Sequence, residues 1–248
     1  MDLDAVSEDK LFQLRHLLPR GMPPGKRGFI VSPTAHFCMG GIMIDENAET
    51  SIPGLFAAGE VCAGAHGANR LGGNAISEIF AMGGIAGKRA ALIAGEIDRP
   101  QSPEKEIAAE KARLELLLSK GDRHPKDLRR SIKEVMWYKA GIIRKRGDLE
   151  KALARIEELK SFVPKLQIKD VRGLVKYLEL QNMLIVTEMV CRAALLRTES
   201  RGAHYRSDYP EEDSANWLKN IVIHKQDSRM RLEAVPVSMD MVAPEWAG

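Results

Sequence analysis

The stretch Thr50-Ser51-Ile52-Pro53-Gly54-Leu55-Phe56-Ala57-Ala58-Gly59-Glu60 reads as a turn, a short buried strand, and then a small residue, a glycine and an acid at the strand's carboxyl end. At that end of an open α/β sheet a ligand can approach the backbone. Glycine removes the Cβ obstacle, and a carboxylate can accept hydrogen bonds from sugar-type hydroxyls. Read alone, the stretch suits an ordinary strand followed by a solvated glutamate equally well. The segment that follows, Ala65-His66-Gly67-Ala68-Asn69-Arg70-Leu71-Gly72-Gly73-Asn74-Ala75-Ile76, brings a glycine-rich loop, an arginine and a helix start close together. With Asn74 as N-cap, the amides near Ala75 and Ile76 would point free N–H groups and a partial positive charge out of the helix end. Arg70 adds a rigid fork of donors suited to bidentate binding of a carboxylate. Upstream, Pro33-Thr34-Ala35-His36-Phe37-Cys38-Met39-Gly40-Gly41 sets a histidine before a double glycine. An isolated histidine is more often structural than functional.

Outward from these motifs, composition divides the chain. Of 21 glycines in 248 residues, 12 lie between Gly40 and Gly95, whereas charge is concentrated after residue 97. A glycine-rich, weakly charged segment is thus followed by a charged, helical one. A hydrophobic content of 44% and a charged content of 29% are globular values, which exclude disorder, collagen-like sequence and a disulfide mini-scaffold. The formal net charge of +3 is too small, and too evenly mixed in sign, to make nucleic acid or an anionic membrane the main partner. Cys38, Cys62 and Cys191 are odd in number, widely spaced and without a CxxC pair. They read as free thiols in a reducing compartment, and no metal site is expected. No apolar run approaches the roughly 18 residues of a membrane span. The acidic start Met1-Asp2-Leu3-Asp4 is unlike a signal peptide. The expected location is the cytoplasm, or the cytoplasmic face of a membrane complex, without direct membrane insertion.

Local signals predict a short helix around Ser7 to Leu18, a Pro/Gly loop, and strands at Gly28 to Ser32, Met39 to Ile44 and Gly54 to Ala58. Asn74 to Ala94 reads as a helix with Gly83, Gly84 and Gly87 inside it. Interior glycine costs about 1 kcal/mol relative to alanine, so the three suggest close approach by another backbone or a flat ligand. From Ser102 the pattern is helical, with starts at Ser102-Pro103, His124-Pro125 and Gly147-Asp148 and breaks at Gly121, Gly147 and Pro164. Asp170 to Leu196 is the longest helix. Its expected core stripe is Val171, Leu174, Val175, Leu178, Leu184, Ile185, Met189 and Leu196. After Pro210 an irregular course is expected. Glu199-Ser200-Arg201 reads as a structural ion and hydrogen-bond network.

The ordered motifs PTAHFCMGGI, SIPGLFAAGE and HGANRLGGNA resemble the flavoprotein subunit of succinate dehydrogenase and fumarate reductase, a family that includes L-aspartate oxidase. The resemblance continues through Met136-Trp137, Gly141-Ile142-Ile143-Arg144, the run Arg197 to Pro210 and Trp217, covering 28–225. It implies an α/β plus all-α fold, a partial Rossmann-like FAD-binding sheet followed by a carboxyl-terminal helical domain. The implied partition is a capping-domain remnant at 1–30, the carboxyl-terminal part of the FAD-binding domain at 31–98, the helical domain at 102–225 and a tail at 226–248. His36 and Arg70 would hold the carboxylates of a dicarboxylate substrate. Gly59 and Glu60 would meet FAD hydroxyls, and the helix start Asn74, Ala75 and Ile76 the flavin ring. The family often has Ser-Leu where this chain has Ala-Ile, a change that main-chain contacts tolerate. Leu71-Gly72-Gly73-Asn74 is closer to the succinate/fumarate members than to aspartate oxidase.

The resemblance also implies an FAD-dependent oxidoreductase that interconverts succinate and fumarate by hydride transfer and is partnered by an iron-sulfur electron-transfer subunit. The family's GxGxxG fingerprint, its covalent flavin histidine and its proton-delivering arginine have no counterpart in this sequence. FAD would therefore be completed by residues outside the chain, in an amino-terminal half of the flavoprotein, and the isolated chain would be inactive. No catalytic residue is assigned within it. The alternatives are an L-aspartate oxidase-like enzyme and a non-catalytic helical interaction module.

Overall fold

The computed structural model describes residues 34–98, 102–118, 124–227 and 229–238. It divides into two units, Met1–Cys38 and Met39–Gly248. Of the first unit, residues 34–38 are described and carry no regular secondary structure. The helix expected at Ser7 to Leu18, the strand at Gly28 to Ser32 and the break at Gly121 lie outside the described residues.

The second unit is mostly helical with small sheets. Its first part is built from isolated bridges rather than ladders: Ile42 pairs with Cys62 in parallel, and Ile44–Thr50 and Glu49–Phe56 pair antiparallel. The strands expected at Met39 to Ile44 and Gly54 to Ala58 therefore appear as single bridged positions. A strand lengthens only where a neighbour takes its N–H and C=O groups, and no described segment extends these pairings. Gly41 is where two backbones press together, since a Cβ there would stand 2.2 Å from the Val61 carbonyl oxygen. The neighbouring Ile42 amide donates to that same oxygen at 2.7 Å.

Helix α1 spans Asn74–Glu96 and buries none of its residues against the described chain. Ile76 and Phe80 are 64% and 78% exposed. Nothing lies within 4 Å of a Cβ built at Gly83, Gly84 or Gly87, so the close backbone approach expected there is not made by the described residues. Helix α2, Glu104–Leu116, also buries nothing.

The core belongs to three helices. In α3, Pro125–Lys139, proline occupies the first turn and His124 caps the end, its Nδ1 accepting from the Lys126 amide at 3.1 Å. Leu128, Ile132 and Val135 recur every three to four residues and are buried. In α4, Arg146–Lys160, the corresponding face is Leu149, Ala152, Ile156 and Leu159. Gly147, expected as a break, sits in the first turn of this helix, where the backbone amides need no intrahelical acceptor. A 3₁₀ turn at Val163–Lys165 places Leu166 and Ile168 in the same cluster. Helix α5, Val171–Leu196, starts on Asp170, whose carboxylate accepts from the Gly173 amide at 2.7 Å.

The buried face of α5 is Tyr177, Leu180, Leu184, Thr187, Glu188, Cys191 and Ala194. Of the expected stripe only Leu184 is fully buried. Leu174 and Leu178 pack at its margin, while Val171, Val175, Ile185 and Leu196 are exposed. The helix is apolar on more than one side, so periodicity alone leaves the choice of face open. Packing against α3 and α4 selects the side that joins Tyr177, Leu180 and Leu184 to the smaller or polar Thr187, Glu188, Cys191 and Ala194. Each fully buried Leu or Ile of this cluster contributes about 1.5–3 kcal/mol from removal of apolar surface from water.

Two small sheets complete the unit. Strands β1, Ile143–Arg144, and β2, Tyr205–Arg206, pair in parallel. A one-turn helix α6, Ser214–Trp217, leads into an antiparallel hairpin of β3, Lys219–Gln226, and β4, Arg229–Pro236. The irregular course expected after Pro210 is thus corrected. Met230 and Leu232 are half-buried and alternate with exposed Arg229, Arg231 and Glu233, a two-residue period that suits a half-buried strand. The turn at Asp227 takes φ 47.

Candidate functional site

The residues singled out around 59–76 converge on the start of α1. After the bridged segment, with Ala57 donating to Ala48 at 3.0 Å, the chain turns at Gly59, φ 84, and the Cys62 amide closes the turn on the Gly59 carbonyl at 2.9 Å. The turn is seated on α1: the Gly59 amide donates to Glu78 Oε1 at 3.2 Å. A Cβ at Gly59 would stand 3.2 Å from Ile79 Cγ2. Glu60, next in the chain, is exposed beside this junction. Burial, followed by the nearby Glu78 charge, pushes the Cys62 thiol up.

Loop 64–73 then enters the same helix. Arg70 is half-buried, and its Nη1 donates to the Leu71 carbonyl at 3.4 Å. Gly73, φ 88, occupies the cap position, and among the described residues no side chain caps the first-turn amides. Asn74 is therefore the first helical residue rather than the cap. Its backbone has already turned helical, so its side chain no longer folds over the helix end. Among the described residues no side chain caps the amides of Ala75 and Ile76, which carry the partial positive charge of the helix end. Asn74 and Ile76 are exposed and Ala75 is half-buried. His36 belongs to the first unit and is exposed.

A second constellation surrounds residues 197–213. Glu199 is fully buried; it accepts from Arg197, from Arg201 Nε and Nη2 at 2.8 and 3.0 Å, and from the Asp213 amide at 2.8 Å. Burial opposes its ionisation, but the donors together outweigh that and hold the carboxyl below its ordinary range. Arg206, also fully buried, bonds the carbonyls of Ala194 and Arg197 at 2.7 and 2.9 Å and grips Asp208 with two hydrogen bonds of 2.7 and 2.8 Å. The structural network expected around Glu199-Ser200-Arg201 is present. One pair within it carried no signal in isolated sequence beyond the family-like runs Gly141 to Arg144 and Arg201 to Arg206. Arg144 Nη1 lies 3.0 Å from His204 Nδ1. His204 is pushed down to about 4, first by burial and then by the charges of Arg144, Arg197 and Arg206.

Among the described residues no group of three or more His, Cys, Asp or Glu side chains could hold a metal ion, and no helix is long and apolar enough to cross a membrane. A groove of about 810 Å³ between α2 and the start of α5, lined by Ile107, Leu114, Leu118, Val171 and Leu174, involves none of the site residues.

Two family models match the chain in tandem: an FAD binding domain over residues 9–76, and the fumarate reductase flavoprotein C-terminal domain over residues 129–247. A turn, loop and uncapped helix end of the kind described above therefore lie inside a segment of FAD-binding type. The chain is 43% identical over 219 residues to an uncharacterized FAD-dependent oxidoreductase of Methanocaldococcus jannaschii, covering 88% of this chain and 40% of that protein. It is 36% identical over 234 residues to the fumarate reductase flavoprotein subunit of Haemophilus influenzae, covering 90% and 39%. A solved structure of E. coli quinol fumarate reductase FrdA superposes with a TM-score of 0.88 at 32% identity, covering 98% of this chain and 45% of that one. The chain belongs to the succinate dehydrogenase/fumarate reductase flavoprotein family, whose carboxyl-terminal portion it represents. It spans about 40% of the length of the curated relatives it matches.

Proposed function

We propose that this chain is the carboxyl-terminal portion of an FAD-dependent oxidoreductase that interconverts succinate and fumarate. The observation that carries the reading is the seating of the Gly59–Glu60 turn on α1, whose uncapped first turn is fed by the Arg70 loop. An acidic acceptor, a helix-end dipole and a guanidinium are thereby grouped on one body. The residues fit FAD: Glu60 would accept from cofactor hydroxyls, and the Ala75 and Ile76 amides, at the positive end of α1, would hold the part of the flavin that gains negative charge on reduction. Bound FAD would supply the hydride acceptor or donor. Arg70 binds a carboxylate of the dicarboxylate and draws its charge toward the guanidinium; His36 is read as a carboxylate-binding residue from the family motif alone.

The rest of the flavoprotein completes the site. The ADP-phosphate cradle and the proton-transfer group come from an amino-terminal portion, which covers the exposed apolar face of α1 around Ile76, Ile79 and Phe80. Residues 31–98 then form the end of the FAD-binding domain and 102–225 the helical domain. Electrons pass to or from an iron-sulfur subunit.

The test is reconstitution. The 248-residue chain alone should show no flavin absorbance band and should not reduce fumarate with a reduced viologen dye. Combined with an amino-terminal flavoprotein portion it should do both. His36→Ala or Arg70→Ala should then lower kcat/KM for fumarate by about a hundredfold or more, chiefly through KM, since losing one partner of a buried charge-assisted contact costs about 2–5 kcal/mol of binding. Assembled enzyme that binds FAD but turns over fumarate equally well in both variants would overturn the assignment of these residues.

A further inference from the structure

We propose that the turn Arg201–His204 is a strut that positions the Arg70 loop, with Gly202 as its positioning residue. The inference rests on the reading of Arg70 as a dicarboxylate clamp. The tip of the turn meets the loop two residues before Arg70: the Ala203 amide donates to the Ala68 carbonyl at 3.0 Å. Gly202 has φ 57, and a Cβ built on it would stand 2.5 Å from the Ala68 oxygen and 2.6 Å from its carbonyl carbon. Both obstacles are backbone atoms, so a side chain at 202 fits only if loop 64–70 moves. The left-handed φ independently disfavours any residue with a Cβ.

A strut must be stiffer than what it supports, and this one is fastened at both roots. Arg201 and His204 exchange backbone hydrogen bonds of 2.8 and 3.0 Å across the turn. On one side Arg201 is locked to buried Glu199 by bonds of 2.8 and 3.0 Å. On the other, His204 is tied at 3.0 Å to Arg144, whose own Nε bonds the carbonyls of Ala140 and Gly141 at 3.2 and 2.9 Å. Arg206 then anchors the exit to the end of α5 through the Ala194 carbonyl. Within loop 64–73 the Gly67 amide bonds the Gly64 carbonyl at 3.1 Å and the Asn74 amide bonds the Leu71 carbonyl at 3.3 Å. The Ala68 contact thus ties the loop, two residues before Arg70, to the helical part of the chain. Because the clamp binds reactant and product alike, loosening it weakens binding more than turnover.

Amide hydrogen exchange of the 248-residue chain tests the strut without any cofactor. Gly202→Ala should speed exchange across residues 64–72 by about tenfold while α4 and the buried turns of α5 stay unchanged. His204→Leu, which releases the root without altering the tip, should act in the same direction, and a denaturation midpoint for each variant separates local loosening from loss of fold. In the flavin-loaded enzyme assembled with its amino-terminal portion, Gly202→Ala should raise KM for fumarate about tenfold with kcat within about twofold. A merely structural defect would instead lower apparent kcat at constant KM. Unchanged exchange at 64–72 in both folded variants overturns the strut. An unchanged KM in Arg70→Ala overturns the clamp reading, and this proposal with it, even where the exchange response is seen.

Discussion

Arg144 Nη1 donates to His204 Nδ1 at 3.0 Å, joining the end of β1 to the turn that precedes β2. The pairing requires a neutral imidazole, because a protonated ring would bring a donor and a positive charge against the guanidinium. Burial and the surrounding arginines hold His204 at about 4, well below the ordinary value near 6.5. The unfolded chain thus binds a proton at this ring before the folded chain does. Stability falls as pH drops from about 6.5 toward 4. Denaturation midpoints measured from about pH 7.5 to 4.5 should decline across that window in the wild type and less steeply in His204→Leu. Identical slopes would show that His204 is not the titrating group.

Glu199 tests the network beside it. Removing a fully buried carboxylate leaves Arg197 and Arg201 without their common acceptor and the Asp213 amide unpaired. Breaking one side of a buried ion pair costs about 3–5 kcal/mol. Glu199→Ala should therefore lower the urea midpoint steeply, and Glu199→Gln, which keeps the acceptor oxygen but not the charge, by less. A loss below about 0.5 kcal/mol in the alanine variant would contradict the network's structural role.

The face of α5 is equally open to measurement. Leu184 is buried to 3% exposure, whereas its neighbour Ile185 is 49% exposed. Leu184→Ala should cost about 2–5 kcal/mol by cavity formation. In the isolated chain Ile185→Ala should stay within about 0.5 kcal/mol. Comparable losses at both positions would mean that the stripe read from periodicity, not the observed one, faces the core.

Thiol reactivity should follow burial. Cys191 has no exposed surface and is pushed up to about 11 by burial, so about one molecule in a thousand carries its thiolate at pH 8. Cys62 is buried and raised as well, while Cys38 is exposed. Alkylation by iodoacetamide under native conditions should mark Cys38 first and leave Cys191 unmodified until the chain is denatured. Equal rates at Cys38 and Cys191, read by peptide mass, would contradict the packing of α5.

The sequence by itself determined the local elements and the family. Proline at 125 and the acid at 170 mark helix starts within a residue of where α3 and α5 begin, because capping and proline geometry act over a single turn. The motif order around His36, Gly59, Glu60 and Arg70 was enough to identify the flavoprotein family. Only the tertiary structure decided which side of α5 is buried, that Gly73 rather than Asn74 caps α1, and that the residues after Pro210 pair as a hairpin. It alone joined Gly202 to Ala68 and His204 to Arg144. These choices depend on contacts between residues far apart in the chain, whose free energy comes from packing and desolvation and leaves no short-range period to read.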